Sequence, residues 1–366
     1  MRTFFYFSVF FCAMFVSMLA KRAAPPAFAR SARPSFARTF FSRANSAKDH
    51  SSSGQNGQFP ADSAAGPAAP PLAAYNYDKA SFDRLVTCEV AVAFAAKARG
   101  DSNVFRRSKK PAQLLPSGED NLFVTGDRNG HVAFGVADGV GGWAEAGYDS
   151  SAISRELCRE LRRLFEATVE KTPSTPKQML TEAFAHVLSL PQVEIGGTTA
   201  CVGVLTPERK LQVANLGDSW CGVFREGTLV KETQFQTHNF NTPFQLAKVP
   251  AQILRQAELQ GKKYIMDTPE MCDEYVWQLQ KDDVVVFATD GVTDNVVPQD
   301  MELFLKDRMD GKSLADVATE LVHEVVKVSK DPNFPSAFAQ ELLRLTGQRY
   351  LGGKEDDVTV VMVKVL

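Results

Sequence analysis

From Leu122 onward the chain reads as short apolar runs broken by turn residues. Two such runs, Leu122–Gly126 and His131–Asp138, flank Asp127-Arg128-Asn129-Gly130. Apolar runs on either side of an Asn-Gly pair predict a β-hairpin, because Asn and Gly tolerate the positive φ of tight hairpin turns. Asp127 and Asn129 also suit the opening of a calcium loop, but the other ligands of that loop are missing. Between Ser150 and Lys171 the period changes: Ile153, Leu157, Leu161, Leu164 and Phe165 recur at helical spacing and predict an amphipathic helix. Lys177–Leu190 predicts a second, antiparallel to it. Residues 198–233 hold four β-type runs (TTACVGVLT, KLQVANLG, WCGVFRE, TLVKET) separated by turn residues, the pattern of an antiparallel meander. Asp283–Thr289 predicts a buried strand, and residues 300–347 predict helices with Leu321 and His323 on periodic faces. Val358–Val365 predicts a closing strand. Strands clustered apart from helices specify an α+β fold with antiparallel sheets, not an alternating doubly wound one.

The first eighty residues follow other rules. Phe4–Ala20 is an apolar run interrupted only by Ser8 and Ser17, and Lys21–Lys48 is rich in Arg, Ser and Ala. Residues 1–48 carry eight basic side chains and no acid, leaving 33 basic against 43 acidic residues in the remainder. A basic leader on an acidic body is the mark of a targeting segment. Three readings stand: a mitochondrial presequence, a signal peptide plus plastid transit peptide divided at Ala27-Phe28-Ala29, and a retained membrane anchor over residues 4–20. Residues 49–76 are Ser, Gly, Pro and Ala with little to bury, a flexible linker. The expected organisation is therefore a leader (1–48), a linker (49–76) and one folded domain (77–366).

With 44 % apolar and 23 % charged residues and a net charge of −2, the composition excludes a polytopic membrane protein, a fibre or a disordered chain, and nothing in it argues for nucleic acid. The six cysteines form no CxxC pair, so neither a zinc site nor a disulfide framework is expected.

The chemistry lies in the acids. Five segments place Asp, usually beside Gly, next to an apolar strand: Gly118-Glu119-Asp120, Asp138-Gly139, Gly217-Asp218, Asp290-Gly291 with Asp294, and Asp356-Asp357. A strand end holds a carboxylate rigidly, and the glycine lets the backbone turn and present its carbonyl. Converging carboxylates repel unless a cation sits among them, and an oxygen-only set selects Mg²⁺ or Mn²⁺ over zinc.

VADGVGGW, GGTTACVGVL, ANLGDSW, FATDGVTDNV and GGKEDDVTVVMV occur in this order. Together they resemble the type 2C metal-dependent protein Ser/Thr phosphatase family. Val140-Gly141-Gly142-Trp143, the 238–246 segment HNFNTPFQL and the 332–338 segment PNFPSAF resemble its mitochondrial branch, whose plant relatives include plastid proteins. The resemblance implies a four-layer α-β-β-α sandwich of two antiparallel sheets flanked by helix pairs, with a metal site at one end. It implies hydrolysis of phosphoserine and phosphothreonine in proteins by a hydroxide bridging two Mn²⁺ or Mg²⁺ ions, without a phosphoenzyme, and a weaker third ion. By position, Asp138 would bridge the ions, Gly139 would lend its carbonyl, and Glu119 would serve the second ion. Asp290 and Asp356 would serve the first, Asp218 and Asp294 the third, and Asp120 and Asp357 would orient this shell. Phosphoproteins are the implied partners, with membrane contact only through residues 4–20 if they are retained. The mitochondrial matrix is the implied compartment, the plastid its alternative.

Two positions depart from the family pattern. Val140 stands where many members have a His thought to protonate the leaving group, so a metal-bound water is the default donor, with His131 and His238 as candidates. No Arg precedes Glu119 to grip phosphate; Arg106–Lys110 is a basic run that either replaces it or is a solvated loop. Gly196-Gly197-Thr198-Thr199 lacks the Gly-Lys-Ser/Thr ending of a phosphate loop and reads as a tight strand approach, and Trp143 reads either as an entrance residue or as a packing anchor. Two rival functions follow: a pseudophosphatase that only binds, and a hydrolase of small phosphorylated metabolites.

Overall fold

The computed structural model describes residues 85–98, 116–126, 128–167 and 174–366. The expected leader, the linker, Asp127 and the basic run Arg106–Lys110 lie outside the described residues.

The described strands are β1 (Cys88–Ala95), β2 (Asn121–Val124), β3 (Val132–Ala137), β4 (Gly196–Thr198), β5 (Ala200–Leu205), β6 (Lys210–Leu216) and β7 (Trp220–Arg225). They continue with β8 (Thr228–Glu232), β9 (Thr237–Asn239), β10 (Thr242–Pro243), β11 (Leu246–Lys248), β12 (Asp273–Gln278), β13 (Val284–Ala288) and β14 (Val358–Val365). The α-helices are α1 (Gly142–Glu145), α2 (Ser151–Ala167), α3 (Pro176–Ser189), α4 (Ala251–Leu259), α5 (Asp290–Thr293), α6 (Pro298–Arg308), α7 (Leu314–Ser329) and α8 (Ala337–Thr346).

Two five-stranded antiparallel sheets, ordered β1-β14-β13-β7-β8 and β12-β6-β5-β3-β2, face each other. Strands alternate their side chains, so each sheet has two apolar faces to cover. The inner faces share a core that includes Val92, Phe134, Val213, Phe287 and Val361, with Phe134 and Phe287 meeting edge to face at 5.3 Å. The outer face of the β3 sheet packs on α2 and α3 through Leu157, Leu161, Leu180 and Val202. That of the β14 sheet packs on α6 and α7 through Phe304, Val317, Leu321 and Val360. These four layers are the expected sandwich.

The hairpin turn has Asn129 and Gly130 at φ 52° and 79°, the positive pair of a type I′ turn. One expectation is corrected. The four runs over 198–233 do not form one meander: β5 and β6 belong to one sheet, β7 and β8 to the other. The chain changes sheets at Gly217-Asp218-Ser219, where Gly217 takes φ 103°. A Cβ there would stand 2.7 Å from the Phe244 carbonyl oxygen, so only glycine fits the crossing. His323 lies on the exposed side of α7, while Leu321 is buried.

Candidate metal centre

All five acidic segments meet at one rim of the sandwich. Asn121 pairs with Ala137, so Glu119 and Asp120 enter β2 where Asp138 leaves β3. In the other sheet Ala288 pairs with Val360, so Asp290 follows β13 where Asp356 and Asp357 precede β14. Asp218 sits in the crossing between the sheets.

Hydrogen bonds fix each acid. Thr199 brackets Asp138, its hydroxyl accepting from the Asp138 N–H at 3.1 Å and its N–H donating to the Asp138 carbonyl at 2.9 Å. A Cβ on Gly139 would stand 2.7 Å from the carbonyl oxygens of Glu119 and Ser150, so the close approach demands glycine. The Ser150 hydroxyl donates to the Glu119 carboxylate. Thr289 links the sheets, its hydroxyl donating to Asp120 Oδ2 at 2.7 Å and accepting from the Thr359 N–H at 3.1 Å. Asp357 accepts from the Glu119 N–H at 2.7 Å and from the Lys97 N–H at 2.8 Å. Asp290 opens α5, and Asp294 lies one turn on, its N–H donating to the Asp290 carbonyl.

Crowding of like charge shows in the acidities. Burial, then the charges of Asp290, Asp120, Asp356 and Asp218, push the Asp138 carboxyl well above the usual range. Burial followed by Asp290 and Asp294 does the same at Asp218, and burial followed by Asp357 does so at Asp120. Burial and Asp290 push Asp294 up to about 7. Asp290 goes the other way: burial opposes its charge, but the Lys354 ammonium outweighs it and holds the carboxyl below its ordinary value.

Two lysines that the sequence reading passed over stand among these acids. Lys354 Nζ lies 2.8 Å from Asp290, in contact with Asp294 and 3.6 Å from Asp356. Lys97 Nζ lies 2.7 Å from Asp356 and 3.5 Å from Glu119. Burial disfavours both ammonium charges, yet Asp290 and Asp294 at Lys354, and Asp356 at Lys97, raise their pKa values. The one available signal was Lys354 itself, a lone base beside Glu355-Asp356-Asp357. Lys97 gave none, since it follows β1, a strand the sequence reading did not identify.

Among the described residues no three acids, imidazoles or thiols close on one point as a formed metal cage. The donor chemistry nevertheless suits hard divalent ions. It is all oxygen, mutually repelling, and includes Asp218 Oδ1, a buried atom without a hydrogen-bond partner.

None of the four described histidines contacts the cluster. His131 is seven residues from Asp138 along β3, about 23 Å away at strand rise. His238 turns Nε2 to Asp267 at 3.0 Å and stacks on Phe244 at 4.2 Å. Trp143 is half-buried and stacks on Tyr264 at 5.3 Å. Gly197 is the tight approach expected: its carbonyl accepts from the Val140 N–H, and a Cβ there would meet Gln245 Oε1 at 2.4 Å.

The sequence profile of Stage II sporulation protein E (SpoIIE) matches residues 128–366. Protein phosphatase 2C homolog 7, mitochondrial, of Saccharomyces cerevisiae is 49 % identical over 79 % of this chain and 85 % of its own length. The human protein phosphatase PTC7 homolog is 36 % identical over 67 % of this chain and 78 % of its own. The photosystem II phosphatase PBCP shares the fold, with a TM-score of 0.60 and 24 % identity over 76 % of this chain and 99 % of that one. The chain belongs to the protein phosphatase 2C family. It is a metal-dependent protein serine/threonine phosphatase.

Proposed function

We propose that Asp138, the Gly139 carbonyl, Glu119, Asp290 and Asp356 hold two divalent ions, Mn²⁺ or Mg²⁺, and that the enzyme dephosphorylates phosphoserine and phosphothreonine in mitochondrial proteins. The observation that carries this is the convergence of acids from both sheets on one rim, with Asp218 Oδ1 buried and unpaired. Bound there, divalent ions would supply an acidified water and offset charge on the phosphoryl oxygens. The chain's own part is positional. Ser150 orients Glu119, Thr289 orients Asp120, and Asp357 ties Glu119 to the end of β1. Lys97, with its side chain 30 % exposed beside Glu119 and Asp356, is the described cation placed to meet a substrate phosphate. With Val140 after Asp138-Gly139, the leaving oxygen takes its proton from water.

A mitochondrial location is supported by the basic leader and by the name of the yeast relative. Phosphate release from a phosphothreonine peptide, in EDTA, Mg²⁺ or Mn²⁺, tests the site. Release should need the metal and be lost in Asp138→Ala with the fold retained. Metal binding without release would favour the binding-module reading. Import of the full chain by isolated mitochondria, lost on deleting residues 1–48, tests the location.

A further inference from the structure

The resemblance to the family assigns Asp218 and Asp294 to a weak third ion, yet a side chain of this protein already stands at that corner. Lys354 Nζ donates to Asp290 Oδ2 at 2.8 Å, to Asp294, and to Asn241 Oδ1 at 3.3 Å. An ammonium has three N–H donors, and here each finds an oxygen. Its placement is built from the main chain outward. The Lys354 N–H donates to Asn295 Oδ1 at 2.9 Å, and Asn295 Nδ2 donates back to the Lys354 carbonyl at 2.8 Å. Asn295 is buried directly after Asp294, so Asp290, Asp294 and the residue that anchors Lys354 share one short segment. The Lys354 ammonium also lies 5.6 Å from the centre of the Phe338 ring. Lys97 is held less fully: among the described residues its ammonium makes one hydrogen bond, to Asp356, and lies 3.5 Å from Glu119.

We propose that Lys354 is a resident cation that takes the place of a third divalent ion at the corner formed by Asp218, Asp290 and Asp294. This rests on the reading of the neighbouring acids as a metal centre. A divalent ion at that corner would have to displace a half-buried ammonium from three oxygens that already satisfy its three donors.

The test counts Mn²⁺ bound per full-length chain at saturation, from the loss of the free-ion electron paramagnetic resonance signal. Lys354→Met should bind one more ion than the unmodified chain, and Lys354→Met/Asp294→Asn should lose it again. Lys354→Arg, which keeps the charge, should match the unmodified count. Asp294→Asn alone should leave that count unchanged, which keeps the test open if Lys354→Met fails to fold. Equal counts for the unmodified chain and Lys354→Met, or a count lowered by Asp294→Asn alone, would overturn the inference while leaving the metal centre standing. No binding by any of these proteins would overturn the metal centre itself, and the inference with it.

Discussion

Thr289→Val tests whether the two sheets are joined at the rim by a hydroxyl rather than by shape alone. Valine keeps the volume and β-branching of threonine, so the apolar packing is preserved. The change orphans two buried groups, Asp120 Oδ2 and the Thr359 N–H, which sit 2.7 and 3.1 Å from the hydroxyl. Each buried group left unpaired costs about 1–3 kcal/mol, or about 2–6 kcal/mol for the pair. At about 2–4 °C per kcal/mol for a large domain, the melting temperature should fall by at least about 4 °C. Thr289→Ser keeps the hydroxyl and should fall by less than half as much. Asp120 also loses its orienting partner, and changes of this kind weaken metal affinity by about 10–100-fold. Scanning calorimetry in EDTA reads the first effect and Mn²⁺ titration calorimetry the second. A Thr289→Val melt within about 2 °C of the unmodified protein, with equal Mn²⁺ affinity, would refute the reasoning.

Arg225→Met strips two of the three hydrogen bonds that the fully buried Asp283 carboxylate accepts, those at 2.8 and 2.9 Å, and leaves the one from the Gln280 N–H at 2.7 Å. Because Arg225 is one-third exposed and Asp283 keeps its bond from the Gln280 N–H, the urea midpoint should fall, but by less than for Thr289→Val. Saturating Mn²⁺ should raise the melting temperature over that in EDTA, since ligand at 100 times Kd stabilises by about 2.7 kcal/mol; Asp138→Asn should abolish the rise. The thiols of Cys88, Cys158, Cys201 and Cys221 are buried, and burial pushes that of Cys272 up to about 11. At pH 8 the thiolate is therefore scarce at Cys272, and peptide mapping after iodoacetamide should find these five unlabelled until the protein is unfolded.

Much of the frame was legible because burial leaves a strong signal. Val358–Val365 reads as a strand with its observed bounds, since seven of its eight residues are buried. The helix over Ser151–Ala167 carries its apolar stripe openly, and Asn129-Gly130 announces its turn. The unread parts have physical reasons. β12 is an edge strand with Val276 exposed, so its alternation is diluted, and β9 to β11 are three residues or fewer. The sheet change at Gly217-Asp218-Ser219 was hidden because a crossing and a hairpin turn share the same residue types. The acids were legible as a set, through Asp beside Gly at strand ends. Lys97 was not, and Lys354 showed only as a lone base beside Asp356, because the carboxylates that they hydrogen-bond lie 60 to 259 residues away in sequence.

The crossing at Gly217-Asp218-Ser219 has a mechanical meaning. Glu119, Asp120 and Asp138 belong to one sheet, Asp290, Asp356 and Asp357 to the other, and Asp218 to the strap between them. On the proposed reading, an ion gripped by both sets would work as a gauge of the gap between two plates. Anything that slides or spreads the plates, such as thinning the Phe134–Phe287 contact, should then change the grip on the ion. By linkage, gripping the ion sets the spacing of the plates in return.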